Sequence, residues 1–199
     1  MLTRLIVVSF AVLAMPLAAM SHHDENHGTK AEQTSIGPVI GAQAPALTAI
    51  ASDDGTPASL ETLSGTSGTI ISFVRSADWC PFCKRQLIEL SAAEADISAS
   101  GWSIVGLSYD SPEKLAAFAA MSGIKFPLLS DTGSVTIKAY GLFNEEVAAN
   151  SRSYGIPHPA LVFVGADGTV EAVLREEGYR KRPSLEVIEE TIARLANPE

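Results

Sequence analysis

Two cysteines, Cys80 and Cys83, are the residues of this chain whose type and spacing point most directly to chemistry. They form a Cys-Pro-Phe-Cys motif soon after the apolar run 69–74, so the motif is expected where a strand turns into a helix. Unpaired backbone N–H groups and the positive end of the helix dipole stabilise a thiolate at a helix start. The motif therefore predicts an acidic, exposed and nucleophilic Cys80, with Cys83 one turn away as the thiol that closes a disulfide.

Two purely structural interpretations of the motif are weaker. A static disulfide across so short a loop gains little from chain entropy, so stabilisation alone is a poor use of this spacing. Half of a zinc site is the other possibility, but a tetrahedral site needs more ligands than the one histidine of the expected domain, His158, supplies. Redox chemistry is the interpretation that the strand-to-helix context favours.

The elements that must position the motif follow from the apolar pattern. A strand at 69–74, a helix at 80–98, a second strand at 103–108 and a second helix at 111–121 alternate as in a βαβ unit with parallel strands. The first helix carries an apolar stripe, formed by Leu87, Leu90 and Ile97 and widened by Ile88 and Ala92.

The remaining segments predict shorter elements around this unit. The order at the end of the chain is a short strand, a short helix, an irregular stretch, a hairpin and a helix capped by Ser184. In sequence order we expect a hairpin-like lead-in at 45–50 and 58–63, a strand at 126–129, a helix at 134–140, an irregular stretch at 141–156, and hairpin strands at 160–164 and 170–175.

The start of the chain predicts export. A charged start ending at Arg4, an apolar stretch and small residues at Ala18 and Ala19 indicate a signal peptide at residues 1–20. A membrane anchor would need about 20 apolar residues, whereas this stretch is broken by Pro16. We expect a flexible polar tether at 21–42, a single folded domain at 43–199, and a periplasmic or secreted location, where disulfides persist.

The tether raises one further possibility. If cleavage follows Met20, the new terminus begins with Ser21, His22 and His23, and a third-position histidine suits square-planar Cu(II) or Ni(II). The simpler interpretation, a solvated polar spacer, is favoured because short histidine-rich stretches commonly bind no metal.

Composition excludes some functions. The 199 residues carry a formal net charge of −9, and loss of residues 1–20 removes one arginine and no acid, which leaves −10. Such a charge argues against a nucleic-acid partner. We expect no resident cofactor or metal, no stable membrane insertion after cleavage, a peroxide or disulfide as substrate, and an unidentified thiol as electron donor.

The motif and its flanks resemble a known family. The stretch from Phe73 to Leu87, with an arginine followed by Trp-Cys-Pro-Phe-Cys, is similar to the peroxiredoxin-like branch of the AhpC/TSA family. The order of elements resembles the thioredoxin fold, and the likeness covers about residues 36–195. The resemblance implies an α/β fold of the thioredoxin type, with a central mixed β-sheet flanked by helices in one domain.

The resemblance also implies four residues beside the cysteines. Pro159 occupies the place of the cis-proline of the thioredoxin superfamily, with Pro157 as a competing candidate, and would bring His158 against the sulfurs as imidazolium or proton shuttle. Arg75 would reach the thiolate and help to polarise a bound peroxide, or pair instead with Asp78. Trp79 would pack as a lid beside the disulfide.

Two departures bear on the chemistry. Typical peroxiredoxins have a threonine three residues before the peroxidatic cysteine, where this chain has Ala77, and thioredoxins have a buried acid where it has Val74. Other groups must therefore move protons. We predict a thiol-dependent antioxidant oxidoreductase in which Cys80 attacks peroxide and Cys83 resolves; the alternatives are a thiol-disulfide oxidoreductase acting on proteins and, less favoured, a copper carrier of the Sco type.

Overall fold

Six strands form one mixed sheet in the computed structural model, which describes residues 36–197. The sheet has the order β1-β4-β3-β2-β5-β6. The strands are β1 (Ile50–Ala51), β2 (Gly68–Phe73), β3 (Trp102–Ser108), β4 (Leu128–Ser130), β5 (Ala160–Gly165) and β6 (Val170–Leu174).

The pairing confirms the predicted βαβ unit. β2 runs parallel to β3, and β3 runs parallel to β4, whereas β5 pairs antiparallel with β2 and β6 antiparallel with β5. Every residue of β2 and β5 is buried, which is why these strands are near-continuous apolar runs rather than alternating ones. Parallel strands end on the same edge of the sheet, so the segments that follow β2 and β3 meet there.

Helices cover both faces of this sheet. They are α1 (Leu60–Leu63), α2 (Pro81–Ala92), α3 (Glu94–Ala99), α4 (Pro112–Ser122), α5 (Val135–Ala139) and α6 (Leu185–Ala196). One core cluster joins residues of α2, α3, α4 and α6 to the sheet, and the other contains residues of α1 and α5. The predicted fold class, a thioredoxin-like single domain with helices around a mixed sheet, is confirmed.

The predicted helix at 80–98 is two helices. Its backbone turns at Ala93, between α2 and α3, where Ser91 ties the end of α2 to the segment after α4. The Ser91 hydroxyl accepts a hydrogen bond from Lys125 N at 3.0 Å. Ile88 is 45 % exposed, so its expected place in the apolar stripe is wrong.

The lead-in differs from the expected hairpin in its second half. Ile50 forms an isolated antiparallel bridge with Pro57, but residues 60–63 are helical. The Ser59 hydroxyl accepts a hydrogen bond from Thr62 N at 3.2 Å, an N-cap that starts α1 where a strand was predicted.

The predicted signal peptide at 1–20 and most of the predicted tether at 21–42 lie outside the described residues. At the end of that segment the chain is hydrogen-bonded to β6: Gly41 N donates to Val170 O at 2.8 Å and Val170 N donates to Ala42 O at 2.9 Å. The boundaries at 20 and 42 stay predictions. Between residues 36 and 197, no helix has the length and apolar character needed to cross a membrane.

Candidate active site

The Cys-Pro-Phe-Cys motif lies where β2 gives way to α2, as the sequence predicts. Cys80 is the N-cap residue of α2, with φ −93° and ψ 107°, and Pro81 occupies the first turn. Proline is favoured there because its missing N–H would have no intrahelical partner. Both cysteines are free thiols.

Both sulfur-bearing side chains are buried, which contradicts the prediction of an exposed Cys80. Cys80 is 1 % exposed and Cys83 is 0 % exposed. The cause is that both belong to the larger apolar cluster, together with Ile70 and Leu87. The strand-to-helix turn therefore points the two thiols into the core, whereas Pro81 between them is exposed.

A guanidinium that sequence reasoning missed lies against the second thiol. Arg182, from the segment between β6 and α6, donates from Nη2 to Cys83 Sγ at 3.4 Å. Its Nε donates to Gln86 Oε1 at 2.9 Å, and its Nη1 donates to the carbonyls of Tyr179 and Lys181. These contacts fix a positive charge beside a buried sulfur.

The surroundings shift the pKa values of the two thiols in opposite directions. A hydrogen bond from Cys80, with further help from the backbone N–H of Ser76 and from Arg182, lowers the pKa of Cys83 to about 6 against the opposing effect of burial. The hydrogen bond to Cys83 and burial raise the pKa of Cys80 well above its ordinary value, although the charge of Arg75 acts in the other direction. The two thiols thus share one proton, and the donors beside Cys83 favour the thiolate at that position.

Arg75 is held by aromatic rings rather than by an acid. Its guanidinium carbon lies 5.0 Å from the ring centroid of Trp79 and 4.5 Å from that of Tyr179. The alternative partner, Asp78, instead forms an ion pair with Lys114 at 2.8 Å. Arg75 reaches the first thiol electrostatically, since its charge lowers the pKa of Cys80.

Trp79 covers Arg75 and is itself anchored. Its indole Nε1 donates to the Tyr109 hydroxyl at 3.0 Å, and that hydroxyl donates to Arg152 O at 3.3 Å. The side chain is 39 % exposed, so the ring forms part of the outer surface beside the motif. Its predicted role as a lid over the disulfide stays a prediction.

A buried acid fixes the segment that leads from β2 into the motif. Asp110 accepts hydrogen bonds from the Ser76 hydroxyl at 2.9 Å, from Ala77 N at 2.7 Å and from the Ser108 hydroxyl at 2.9 Å. The Ser76 oxygen in turn accepts from the amide of Trp79 at 3.2 Å. Ala77, which stands where typical peroxiredoxins have threonine, therefore contributes a hydrogen bond from its backbone N–H rather than from a side-chain hydroxyl.

Pro159 is not a cis-proline, and neither is Pro157, since all peptide bonds from residue 36 to 197 are trans. The chain enters β5 in a paired conformation that needs no cis bond: His158 N donates to Leu142 O at 2.7 Å and Phe143 pairs with Pro157.

His158 and Pro159 instead line a cavity that they share with Arg75 and Arg175. Burial, and then the charge of Arg175, lower the pKa of His158, whereas Glu146 acts in the other direction. The neutral imidazole is therefore favoured over the imidazolium, and the predicted proton shuttle stays a prediction.

Arg182, Tyr179 and Arg175 are the site residues that sequence reasoning did not single out. A signal existed, because Tyr179 to Arg182 is a basic and aromatic run in an acidic chain. Only the antiparallel addition of β6 to the sheet shows that this segment returns to the start of α2. Among the described residues, no three His, Cys, Asp or Glu side chains are grouped so that they could hold a metal ion.

Comparison with known proteins identifies relatives of this architecture. The AhpC/TSA family model matches residues 40–173. The chain is 32 % identical over 130 residues to a Mycobacterium tuberculosis protein named "Putative peroxiredoxin Rv2521", an alignment that covers 65 % of this chain and 80 % of that protein. It is 31 % identical over 93 residues to Peroxiredoxin Bcp of Escherichia coli K12, covering 47 % and 59 % of the two chains.

Solved structures agree on the fold. Peroxidoxin BcpB from Mycobacterium tuberculosis matches with a TM-score of 0.66 at 20 % identity, over 81 % of this chain and 99 % of that one. A peroxiredoxin 6 variant from Arenicola marina matches with a TM-score of 0.70 at 16 % identity, over 80 % and 74 %. The predicted class, a peroxiredoxin-like thiol oxidoreductase, is confirmed by the family match and the sequence relatives, and the chain belongs to the AhpC/TSA family.

Proposed function

We propose that this oxidoreductase reduces peroxides by cycling Cys80 and Cys83 between dithiol and disulfide. The observation that carries the proposal is a buried pair of thiols with one stabilised thiolate at a helix start, in a chain of the AhpC/TSA family. A thiolate, not a thiol, attacks the peroxide oxygen, and it needs a low pKa to be populated at neutral pH.

The order of attack is where sequence and structure differ. The sequence assigns attack to Cys80 and resolution to Cys83, whereas the stabilising donors surround Cys83. We therefore propose that the Cys83 thiolate attacks one peroxide oxygen and the O–O bond breaks. The departing oxygen takes a proton to leave as water or an alcohol, and Cys83 is oxidised to sulfenic acid.

Resolution uses the second thiol. The Cys80 sulfur attacks the sulfenic sulfur of Cys83, the S–O bond breaks, and water leaves with the Cys80 proton as the disulfide forms. Two thiol groups of an external donor then return the disulfide to the dithiol and become a disulfide themselves.

Arg75 and Trp79 form the wall that borders the site. We propose that the guanidinium of Arg75 helps to polarise a bound peroxide, because it carries a positive charge next to Trp79 at the edge of the motif.

The test compares peroxide with a protein disulfide. Reduced protein is mixed with hydrogen peroxide, or with an oxidised protein substrate, quenched by alkylation and analysed by mass spectrometry. We expect peroxide to form the Cys80–Cys83 disulfide faster than it oxidises free cysteine. Fast exchange with the protein disulfide and a slow peroxide reaction would select the thiol-disulfide oxidoreductase instead.

Single-cysteine variants identify the attacking sulfur. With dimedone present, Cys80→Ser should accumulate a trapped sulfenic acid on Cys83, whereas Cys83→Ser should react slowly. Fast trapping on Cys80 in Cys83→Ser, with an unreactive Cys80→Ser, would restore the assignment made from the sequence.

We further propose export to the periplasm or outside the cell, with removal of residues 1–20, because the charged start, apolar stretch and small residues fit a signal peptide. Mass spectrometry of the protein from the periplasm of a Gram-negative host should show that shortened chain. An intact chain confined to the cytoplasm would contradict it.

A further inference from the structure

Two arginines share one cavity and, among residues 36–197, form no ion pair with an acid. Arg75, Arg175, His158 and Tyr179 line a space of about 440 Å³. The Nε atoms of both arginines are buried and have no hydrogen-bond partner among residues 36–197. Buried donors are almost always satisfied, so two unpartnered Nε atoms on residues that line one cavity favour a ligand for these arginines.

Two aromatic rings lie against the guanidinium of Arg75. Its guanidinium carbon is 5.0 Å from the ring centroid of Trp79 and 4.5 Å from that of Tyr179, and among residues 36–197 its Nε has no hydrogen-bond partner. A planar guanidinium held in this way binds a carboxylate through two parallel hydrogen bonds.

The other charges of the cavity do not neutralise the two arginines at short range. Glu146 and Glu177 also line it, and both are exposed. In the described part of the chain, the only ion pair within 4.0 Å is that of Lys114 with Asp78. The walls include the apolar side chains of Ile36, Val147 and Ile156. A volume of this size admits a small organic molecule and exceeds what hydrogen peroxide needs.

The pKa values of the two thiols determine which sulfur of the disulfide a donor thiolate attacks. In an exchange reaction the thiol of lower pKa leaves faster, so a donor attacks Cys80 and releases Cys83. The hydrogen bond from Arg182 then stabilises the thiolate that forms on Cys83 Sγ. The cavity borders the motif, because its wall residue Tyr179 packs on Phe82 with ring centroids 6.0 Å apart. Arg75, another wall residue, acts on Cys80 through its charge.

We propose that the cavity binds the carboxylate of a small thiol, through Arg75 and Arg175, and that this thiol is the electron donor that reduces the Cys80–Cys83 disulfide. The proposal rests on the proposed cycle, since it requires the disulfide to form. The donor thiolate attacks Cys80 Sγ, the S–S bond breaks, and Cys83 leaves as the thiolate. A second donor thiolate attacks the donor sulfur of the mixed disulfide and releases Cys80, which takes a proton, so two donor thiols become one disulfide.

The experiment starts from disulfide made with diamide, so that it does not depend on the reaction with peroxide. N-acetylcysteine carries a carboxylate and N-acetylcysteine amide does not. Their rates of reduction are compared after correction for the thiolate fraction of each. We expect the carboxylate thiol to react about tenfold faster, and mass spectrometry of the quenched reaction to find the mixed disulfide on Cys80.

Variants distinguish binding of the carboxylate in the cavity from a general effect of the positive charge of the protein. Arg175→Met should bring the rate ratio of the two thiols close to one, whereas Arg175→Lys should keep part of it. Arg194→Met makes the same change at an exposed position of α6 and should keep the whole ratio. Circular dichroism verifies that each variant is folded.

Several outcomes would overturn the proposal. These are a ratio near one in the parent protein, an unchanged ratio in Arg175→Met, or a mixed disulfide on Cys83. Inhibition by inorganic phosphate that is much stronger than inhibition by acetate would replace the carboxylate site with a phosphate site. Failure of peroxide to form the disulfide would instead refute the proposed peroxidase, which is measured separately.

Discussion

Individual side chains decide which sulfur carries the negative charge. Two neighbouring thiols in a dry interior cannot both ionise, so the site with more donors keeps the thiolate. Cys83 has a guanidinium at 3.4 Å and a backbone N–H from Ser76, whereas Cys80 has the more distant influence of Arg75. In this motif the contacts of Cys83, inside the first turn of α2, thus favour a thiolate more than those of Cys80 at the N-cap.

Replacing Arg182 tests this assignment. Arg182→Met removes the cation beside Cys83, so the thiolate loses stabilisation and the pKa of Cys83 rises from about 6 towards the ordinary value of 9.0. A rise of about one unit, or about 1.4 kcal/mol, is expected for a charged hydrogen bond. The rate of the peroxide reaction should then fall about tenfold below pH 6, and less at higher pH.

Thiolate absorbance near 240 nm and the pH–rate profile measure this shift. In the parent protein the rate should fall as pH falls through about 6. The depressed pKa also implies a contribution to stability that is complete above the ordinary thiol pKa and is lost as pH falls through about 6. Arg85→Met is the matched control, since Arg85 lies on the same helix and stacks on Phe82. An unchanged profile in Arg182→Met would show that Arg182 does not set the acidity.

At the scale of elements, the segment between β2 and α2 is held by the segment that follows β3. Parallel strands bring the two segments to one sheet edge, where Asp110 accepts hydrogen bonds from Ser76 and Ala77. A buried carboxylate with several donors is a strong local constraint. The geometry of the motif therefore depends on β3 as much as on its own strand.

Asp110→Ala should destabilise the fold by about 3 kcal/mol, because three buried donors lose their acceptor. Urea unfolding measures the change, and Asp110→Asn, which keeps one acceptor oxygen, should lose less. The exposed Asp96→Ala serves as the control and should stay within about 0.5 kcal/mol of the parent. A similarly small loss for Asp110→Ala would mean that the segment is held by other contacts.

The long elements were predictable because one local signal set each of them. The apolar runs of β2 and β5, the proline at the start of α2 and the Ser184 cap all act within a few residues. α1 was missed because Ser59 and Thr62 form a cap in a segment that also alternates like a strand. Beside the break at Ala93, the Ser91 hydroxyl accepts a hydrogen bond from Lys125 N, a contact between residues remote in sequence that no local pattern shows.

At the scale of the whole molecule, the two cysteines of the site belong to the larger apolar core. Cys80 and Cys83 were predictable as the redox pair, but their burial was not, since it arises from packing among four helices and the sheet. Arg182 lies 99 positions from Cys83 in sequence, so no local pattern links them. Only the assembled sheet, with β6 at its edge, brings the β6-to-α6 segment back to α2.

Because both thiols of the reduced protein are at most 1 % exposed, iodoacetamide, for which the protein offers no binding group, should reach them only after local opening. We expect iodoacetamide to alkylate the native protein about a hundredfold more slowly than the unfolded chain, which corresponds to an opening free energy of about 3 kcal/mol. Low urea concentrations should raise this rate with a slope smaller than that of global unfolding. The control is Ser98→Cys in a chain with both native cysteines replaced by serine, because position 98 is exposed on α3. Equal alkylation rates for the native pair and this control would show that the sulfurs are open to solvent, and the thiolate would then owe its stability to water rather than to Arg182 and the helix start.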